Sequence, residues 1–345
     1  LFTCALLSLL KEKIREVRAF KCGPDYIDPM FHRTVLEIPS RNLDSFFADE
    51  DTLRYLLGRE VLEMEKFPES RIAVLEGVMG FYDGLGGVSE RSSAWEVADL
   101  TDTPVILLVD MKGRSLSALA SIKGFLDYKE KSHVTGIVFN RLSPMLYPGL
   151  KERAERELGI RVFGYVPELK DLTLESRHLG LVMPEEILGI RERLDLIKEK
   201  VRVGINLDGI IEEAGRAAEI EVKLPEAAGW SLSDRIPKKT VVAVAKDEAF
   251  CFYYEDNLDL LKKLGAEIQY FSPIHDRNLP EGTCAVYLGG GYPELHAKAL
   301  SENISMRNAI RQAVMEEVPC IAECGGYLYL KDSIVDPDGV EWPMA

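Results

Sequence analysis

Apolar runs rich in β-branched residues alternate along the chain with stretches of helical period. The runs at 72–75, 105–109 and 134–139 predict buried parallel strands, because a strand covered on both faces reads as continuously apolar. Helical patterns at 115–128 and 147–158 separate them, and 161–166 is a further strand that stops at Pro167. The stretch 223–239 is polar, holds Pro225 and Pro237, and shows no period, so it predicts a linker. Beyond it the alternation resumes, with strands expected at 240–245, 266–271, 285–288 and 319–322 and helices at 257–264 and 303–317. Gly265 is placed to close the first of these helices. Strands separated by helices imply βαβ crossovers and covered parallel sheets. The expected organisation is two α/β domains, 1–225 and 239–345, joined by a linker at 226–238.

A length of 345 residues agrees with two domains at about 150 residues each. The apolar stretch 1–10 lacks a basic leader, and Lys11 to Arg15 continue it as an amphipathic helix rather than a signal segment. No run approaches the roughly 20 apolar residues that cross a bilayer. With 42 basic and 57 acidic residues the net charge is −15, which argues against nucleic acid as a main partner. The six cysteines match neither a metal knuckle nor a disulfide scaffold, so a reducing cytoplasm is the expected setting. The first residues read as the interior of a helix, and the chain is expected to be a piece of a longer one.

Cys324 carries the clearest chemistry. A short apolar strand runs into Glu323-Cys-Gly-Gly326, and a helical pattern follows. That is the layout of a nucleophile elbow, where a strained strand-to-helix turn exposes the reactive side chain. A helix N-terminus behind it favours thiolate, the reactive form. Taken alone, a buried structural cysteine beside a tight turn explains the same residues. A second feature shifts the balance: Tyr287-Leu-Gly-Gly-Gly-Tyr-Pro-Glu294 is a strand followed by three glycines, whose N–H groups suit an oxyanion hole.

This pair, Gly289-Gly-Gly-Tyr-Pro-Glu294 with Ala322-Glu-Cys-Gly-Gly326, resembles the glutaminase domain of the cobyrinic acid a,c-diamide synthase family and its cobyric acid synthase relatives. The resemblance implies that Cys324 attacks the glutamine amide to form a glutamyl thioester. It places Gly290, Gly291 and Gly325 around the glutamine and its oxyanion. It also implies a histidine base downstream of the cysteine. All five histidines precede Cys324, so that base is expected outside this chain, with His275 and His296 as the substitutes the sequence permits.

In the first domain, Phe20-Lys-Cys-Gly-Pro-Asp-Tyr-Ile-Asp-Pro-Met-Phe-His32 is punctuated by Gly-Pro and Asp-Pro, which predicts a strand-exit loop rather than a continuous helix. It holds Asp25, Asp28, Lys21 and His32. Pro39-Ser-Arg-Asn-Leu-Asp44 follows, and the strand at 72–75 ends in Glu76-Gly-Val-Met-Gly-Phe-Tyr-Asp-Gly84. An acid at the carboxyl end of a strand, followed by glycines, is a Walker-B-like placement for Mg²⁺ on a nucleotide. These stretches, with Arg177-His-Leu-Gly-Leu181 and the strand end Gly136-Ile-Val-Phe-Asn-Arg141, are similar to the first domain of the same family. The Gly-Pro-Asp-Tyr-Ile-Asp loop separates them from cobyric acid synthase.

The resemblance covers nearly the whole chain. It implies a P-loop, dethiobiotin-synthetase-like domain followed by a class I, triad-type glutaminase domain. It also implies that both domains are truncated at the chain ends, since no phosphate-loop motif occurs here. The implied reaction amidates the a- and c-acetates of cobyrinate in cobalamin biosynthesis, using ATP, Mg²⁺ and L-glutamine, with ammonia passing inside the protein to an acyl phosphate. Glu76 is then the metal ligand, and Asp28 and Asp83 are catalytic. Asp25, Tyr26, Ile27, Arg41, Arg177 and His178 face the substrate, Lys21 reaches phosphate, and Asn140 lies near the adenine. Arg33 is a further candidate for the substrate carboxylates. The expected partners are these small molecules, in the cytoplasm, without nucleic acid or membrane, and a homodimer is allowed. The same chemistry on sirohydrochlorin or its nickel form is the near rival. A ParA-like nucleotide-binding protein or regulatory pseudoenzyme is the distant one, and it does not account for the elbow cysteine.

Overall fold

A computed structural model of the chain describes residues 1–63, 71–169, 176–177, 180–181, 189–224 and 240–345. The chain divides into two compact units, Leu1–Pro225 and Glu226–Ala345. The expected linker at 226–238 lies outside the described residues.

In the first unit, helix α1 (Phe2–Lys13) leads into strand β1 (Glu16–Cys22), which is flanked in parallel by β2 (Ser40–Leu43) and β3 (Arg71–Glu76). Phe20 and Cys22 pack against Leu43, Leu53, Leu57, Ala94 and Val97, which come from β2, α3 (Glu50–Glu63) and α4 (Ala94–Thr101). A second parallel sheet orders β4 (Val105–Asp110), β5 (Val134–Asn140) and β6 (Arg161–Val166). Its core is Ile137, Phe139 and Val162 under α5 (Ser117–Asp127) and α6 (Tyr147–Leu158). Between the edges of β3 and β4 lies a cavity of about 630 Å³, apolar along most of its length and reaching Glu76 and Asp110 at the strand ends. Two short strands, β7 (Ser176–Arg177) and β8 (Gly180–Leu181), pair antiparallel, and α7 (Ile190–Gly204) and α8 (Leu207–Ala214) complete the unit.

Of the strand-exit loop expected at 20–32, 20–22 belong to β1 and 23–26 form the loop, but its second half is helical: α2 (Ile27–Met30) runs into a π-helical turn at Phe31–Val35. Pro29 is tolerated because it falls in the first turn, where a missing N–H breaks no intrahelical bond.

The second unit holds one parallel sheet ordered β10 (Ala266–Phe271), β9 (Thr240–Ala245), β11 (Thr283–Leu288) and β12 (Cys320–Ala322). Alternate residues of β9 point to opposite faces, as a strand requires. Val242 and Val244 meet Tyr253, Tyr287 and Leu258 of α9 (Glu255–Lys263). Ala243 and Ala245 meet Phe250, Leu288 and Tyr329 on the other face, under α10 (Ala297–Glu302), α11 (Ile304–Met315) and α12 (Gly325–Tyr329). Asn303 caps α11 by accepting the Met306 N–H at 3.3 Å, and Gly265 follows α9 in a positive-φ conformation. A hairpin of β13 (Ser333–Val335) and β14 (Glu341–Pro343) ends the chain.

Truncating Phe139, fully buried in the second sheet of the first unit, should cost about 3–5 kcal/mol. Urea unfolding of Phe139→Ala, followed by a probe in the first unit, checks this, and an unchanged midpoint would contradict the packing described.

Candidate active site

Parallel register builds the first centre. Lys21 on β1 stands opposite Glu76 on β3 and Asn42 on β2, so three side chains meet at the carboxyl ends of adjacent strands. Asn42 donates its amide to the carbonyls of Gly23 (2.9 Å) and Asp25 (2.7 Å), which fixes the turn leaving β1. Asp25 then caps α2, its Oδ1 accepting the N–H groups of Ile27 (3.0 Å) and Asp28 (3.2 Å).

This folding returns two carboxylates to the lysine. Lys21 Nζ is 2.5 Å from Asp28, 3.4 Å from Asp25 and 3.9 Å from Glu76, and also donates to the Gly77 carbonyl at 3.2 Å. Lys21 is buried, its ammonium held inside the cluster. Burial opposes its charge, yet the carboxylates outweigh burial and push its pKa up. Burial and the Glu76 charge push Asp28 up. Burial works on Glu76 in the same direction, but the His32 ring and Lys21 hold it down at about 2.

His32 is wholly buried, its Nδ1 3.0 Å from the Ser40 hydroxyl and its Nε2 3.4 Å from Glu76 Oε2. Neither facing atom makes a hydrogen bond, so the buried Glu76 Oε2 is held by charge alone, from His32 and from Lys21 at 3.9 Å. Among the described residues no group of three or more His, Cys, Asp and Glu is arranged to hold a metal.

The remaining expected residues are distributed differently. Asp83 is outside the cluster: it is exposed, and its Oδ2 accepts the Gly80 N–H at 3.0 Å within its own turn. Ile27 is buried rather than facing a substrate rim, because α2 turns it into the core, whereas Tyr26 is half-buried. Arg41 is turned onto the buried Glu60 of α3 at 2.5 Å, and Arg33 donates to the Ser40 carbonyl at 2.9 Å. Asn140 ends β5 opposite Asp110, and its carbonyl accepts the Met111 N–H at 2.8 Å. Arg177 contributes backbone to β7, while its side chain and His178 lie outside the described residues. Sequence reasoning gave no role to Ser40 or Asn42, although both stand in the Pro-Ser-Arg-Asn-Leu-Asp stretch it singled out.

The second centre is the turn between β12 and α12. Cys324 is exposed and adopts φ 47°, ψ −110°, a conformation costly for a residue with a β-carbon. The approach is possible because Gly326 packs on β11: a β-carbon there would lie 2.1 Å from the Leu288 carbonyl. The glycine loop after β11 faces the elbow, since a β-carbon on Gly290 would come within 3.5 Å of the Cys324 β-carbon. Gly291 has φ 155°, and a β-carbon there would strike the Ala249 carbonyl at 2.0 Å. Glu323 accepts the Tyr287 hydroxyl at 2.7 Å, a contact sequence reasoning missed.

The helix behind the thiol has five residues, so its dipole is short. All six cysteines are free, and burial pushes the Cys4 and Cys22 thiols up to about 12, which leaves them inert. Among the described residues no histidine is hydrogen-bonded to Cys324. His275 is exposed and pairs with Glu248 at 3.1 Å, and that partner raises its pKa.

Residues 241–345 match the model of the CobB/CobQ-like glutamine amidotransferase domain. Over 342 residues the chain is 39% identical to the cobyrinate a,c-diamide synthase of Thermoplasma volcanium, covering 99% of this chain and 72% of that protein. The chain belongs to the cobyrinate a,c-diamide synthase family. The synthase of Priestia megaterium is 36% identical over 99% of this chain and 72% of its own. That of Caldanaerobacter subterraneus is 38% identical over 98% and 72%. This chain carries a parallel α/β unit followed by the amidotransferase unit. No helix of the described residues is long and apolar enough to cross a membrane.

The lysine–carboxylate cluster should titrate unevenly. Glu76 stays ionised to about pH 2, below its ordinary 4.5, so its ionisation favours the fold above 4.5 and that contribution fades as pH falls towards 2. Asp28, shifted upwards, opposes it. Carboxyl-carbon NMR should resolve the two directions. Lys21→Met should move Glu76 upwards and cost about 3–5 kcal/mol at neutral pH by stranding buried charge. An unmoved Glu76 titration in that variant would contradict the coupling.

Proposed function

We propose that this chain performs glutamine-fed, ATP-dependent amidation of the a- and c-acetate carboxylates of cobyrinate, in the cytoplasm. The observation that carries the reading is the elbow cysteine facing a glycine loop in a chain that also gathers Asp25, Asp28 and Glu76 around one buried lysine.

At the elbow, the Cys324 thiolate attacks the glutamine amide carbon. The oxygen that gains charge needs N–H donors held in place, which Gly291 supplies with Gly325, while Gly290 turns its carbonyl to 251–252 and anchors the loop beside the elbow. Collapse of the tetrahedral species releases ammonia and leaves a glutamyl thioester, which water hydrolyses to glutamate.

At the cluster, a substrate carboxylate oxygen attacks the γ-phosphorus of ATP and ADP departs, leaving an acyl phosphate in which that oxygen is now part of a leaving group. Ammonia then adds to the acyl carbon and phosphate departs, giving the amide. Glu76 is the residue that fits Mg²⁺: its buried Oε2 has no hydrogen bond, and Mg²⁺ characteristically takes only one or two protein carboxylates and keeps several waters. When bound, the cation neutralises charge on the transferring phosphoryl group. Lys21 limits repulsion among the carboxylates throughout. Asp28, which grips Lys21 at 2.5 Å, is assigned the orienting of the reacting groups through that ammonium. Tyr26, beside it, is the better substrate contact, since Ile27 is buried.

Two variants of the full-length protein test the two centres. Cys324→Ser should abolish amidation with glutamine and retain it with added ammonia, because the thiolate serves only to release ammonia. Equal loss with both nitrogen sources would refute that role. Asp28→Asn should lose amidation with either source by about 100-fold or more, in the range of electrostatic groups acting at a transition state, while glutamine hydrolysis continues. Near-normal turnover would make the α2 carboxylate structural.

A further inference from the structure

We propose that Tyr253 is a positioning residue for glutamine hydrolysis: its hydroxyl fixes the glycine loop so that the Gly291 N–H faces the carbonyl attacked by Cys324. The inference rests on the elbow reading above and extends it to a residue that touches no substrate.

The geometry is a chain of backbone orientations. The segment 249–253 runs beside the glycine loop, with Phe252 and Gly290 bridged antiparallel. The Gly290 carbonyl accepts the N–H groups of both Cys251 and Phe252 at 3.0 Å, and the Tyr292 N–H donates to Ala249 at 3.0 Å. On the other side, the Gly289 carbonyl accepts the Gly326 N–H at 2.9 Å.

A trans peptide directs its carbonyl and its N–H to opposite sides. Because the Gly290 carbonyl points at 251–252, the Gly291 N–H points away from them. The elbow lies on that side, since a β-carbon on Gly325 would sit 3.2 Å from the Gly291 nitrogen.

Tyr253 secures the start of this arrangement. Its hydroxyl donates to the Ala245 carbonyl at the end of β9 and accepts the Gly289 N–H at 2.9 Å. The phenol therefore ties the loop to the central strand of the sheet. Its ring is buried, edge-on to Tyr287 at 5.1 Å between centroids. Burial pushes the phenol pKa up, so the group stays a hydroxyl at any working pH and can donate and accept together. Without that oxygen the buried Gly289 N–H loses its partner, and the loop is free to rotate its peptide planes.

Tyr253→Phe in the full-length protein is the test, because it removes one oxygen and keeps the ring. The kcat for glutamine hydrolysis should fall about 10- to 100-fold, at or below the loss of a direct oxyanion donor. KM for glutamine and the ammonia-dependent rate should stay close to wild type. Alkylation of Cys324 by iodoacetamide, followed by peptide mass spectrometry, should proceed at the wild-type rate and show the elbow intact. An unchanged kcat overturns the proposal, and so does a loss accompanied by altered alkylation, which would mark a merely structural role. Cys324→Ser run in parallel separates the levels. If it retains glutaminase activity, the elbow reading falls and takes Tyr253 with it. If it is silent while Tyr253→Phe is normal, only the positioning role falls.

Discussion

Burying an ammonium group is expensive unless carboxylates surround it, and burying carboxylates is expensive unless a cation joins them. Lys21 and its three acids meet both conditions at once, and much of the first unit is arranged to bring them together. The parallel register of β1 with β3 sets Glu76 beside the lysine. The Asn42 amide and the Asp25 cap bend the chain so that α2 returns Asp28 to the same point. Removing the cation would leave like charges facing one another, only partly screened by solvent. In the reaction proposed above, a cluster so constrained offers a reacting carboxylate or phosphate a field already oriented before it arrives, which is the condition under which electrostatic groups act most strongly.

The second unit reaches a comparable end with backbone rather than charge. Its glycine loop is held from both sides, by the segment after β9 and by the first turn of α12. The order of the parallel sheet makes this possible, since β11 lies between β9 and β12 and the loops at their carboxyl ends converge.

Strands that read as continuous apolar runs were legible because tertiary burial and local propensity agree there; β6 falls at 161–166 as expected. Strand β2, Ser-Arg-Asn-Leu, was not, since its polar residues find partners only in the folded state: Ser40 on His32, Asn42 on the turn after β1, and Arg41 on Glu60. The terminal hairpin carried a signal in Asp336-Pro-Asp-Gly339, and Asp336 does accept the N–H groups of Asp338 and Val340. At the first centre the sequence named Asp25, Asp28 and Glu76, yet composition could not foretell that Lys21 would turn inward or that Arg41 would be engaged by a glutamate on a helix with no marked apolar period. Tyr253 was invisible for another reason. Its role depends on a hydrogen bond to Gly289, which lies 36 positions away in sequence.

The turn at Cys324 has a consequence beyond its chemistry. A β-carbon held at positive φ costs about 1–3 kcal/mol relative to a relaxed backbone. Glycine at this position would release that strain, so the more stable version of the unit is one that cannot form a thioester. Selection for stability alone would therefore erode this position, and only a requirement for the thiol keeps a cysteine there. Homologous chains that have lost the need for glutamine should be recognisable by relaxation at this one turn while the surrounding sheet is retained.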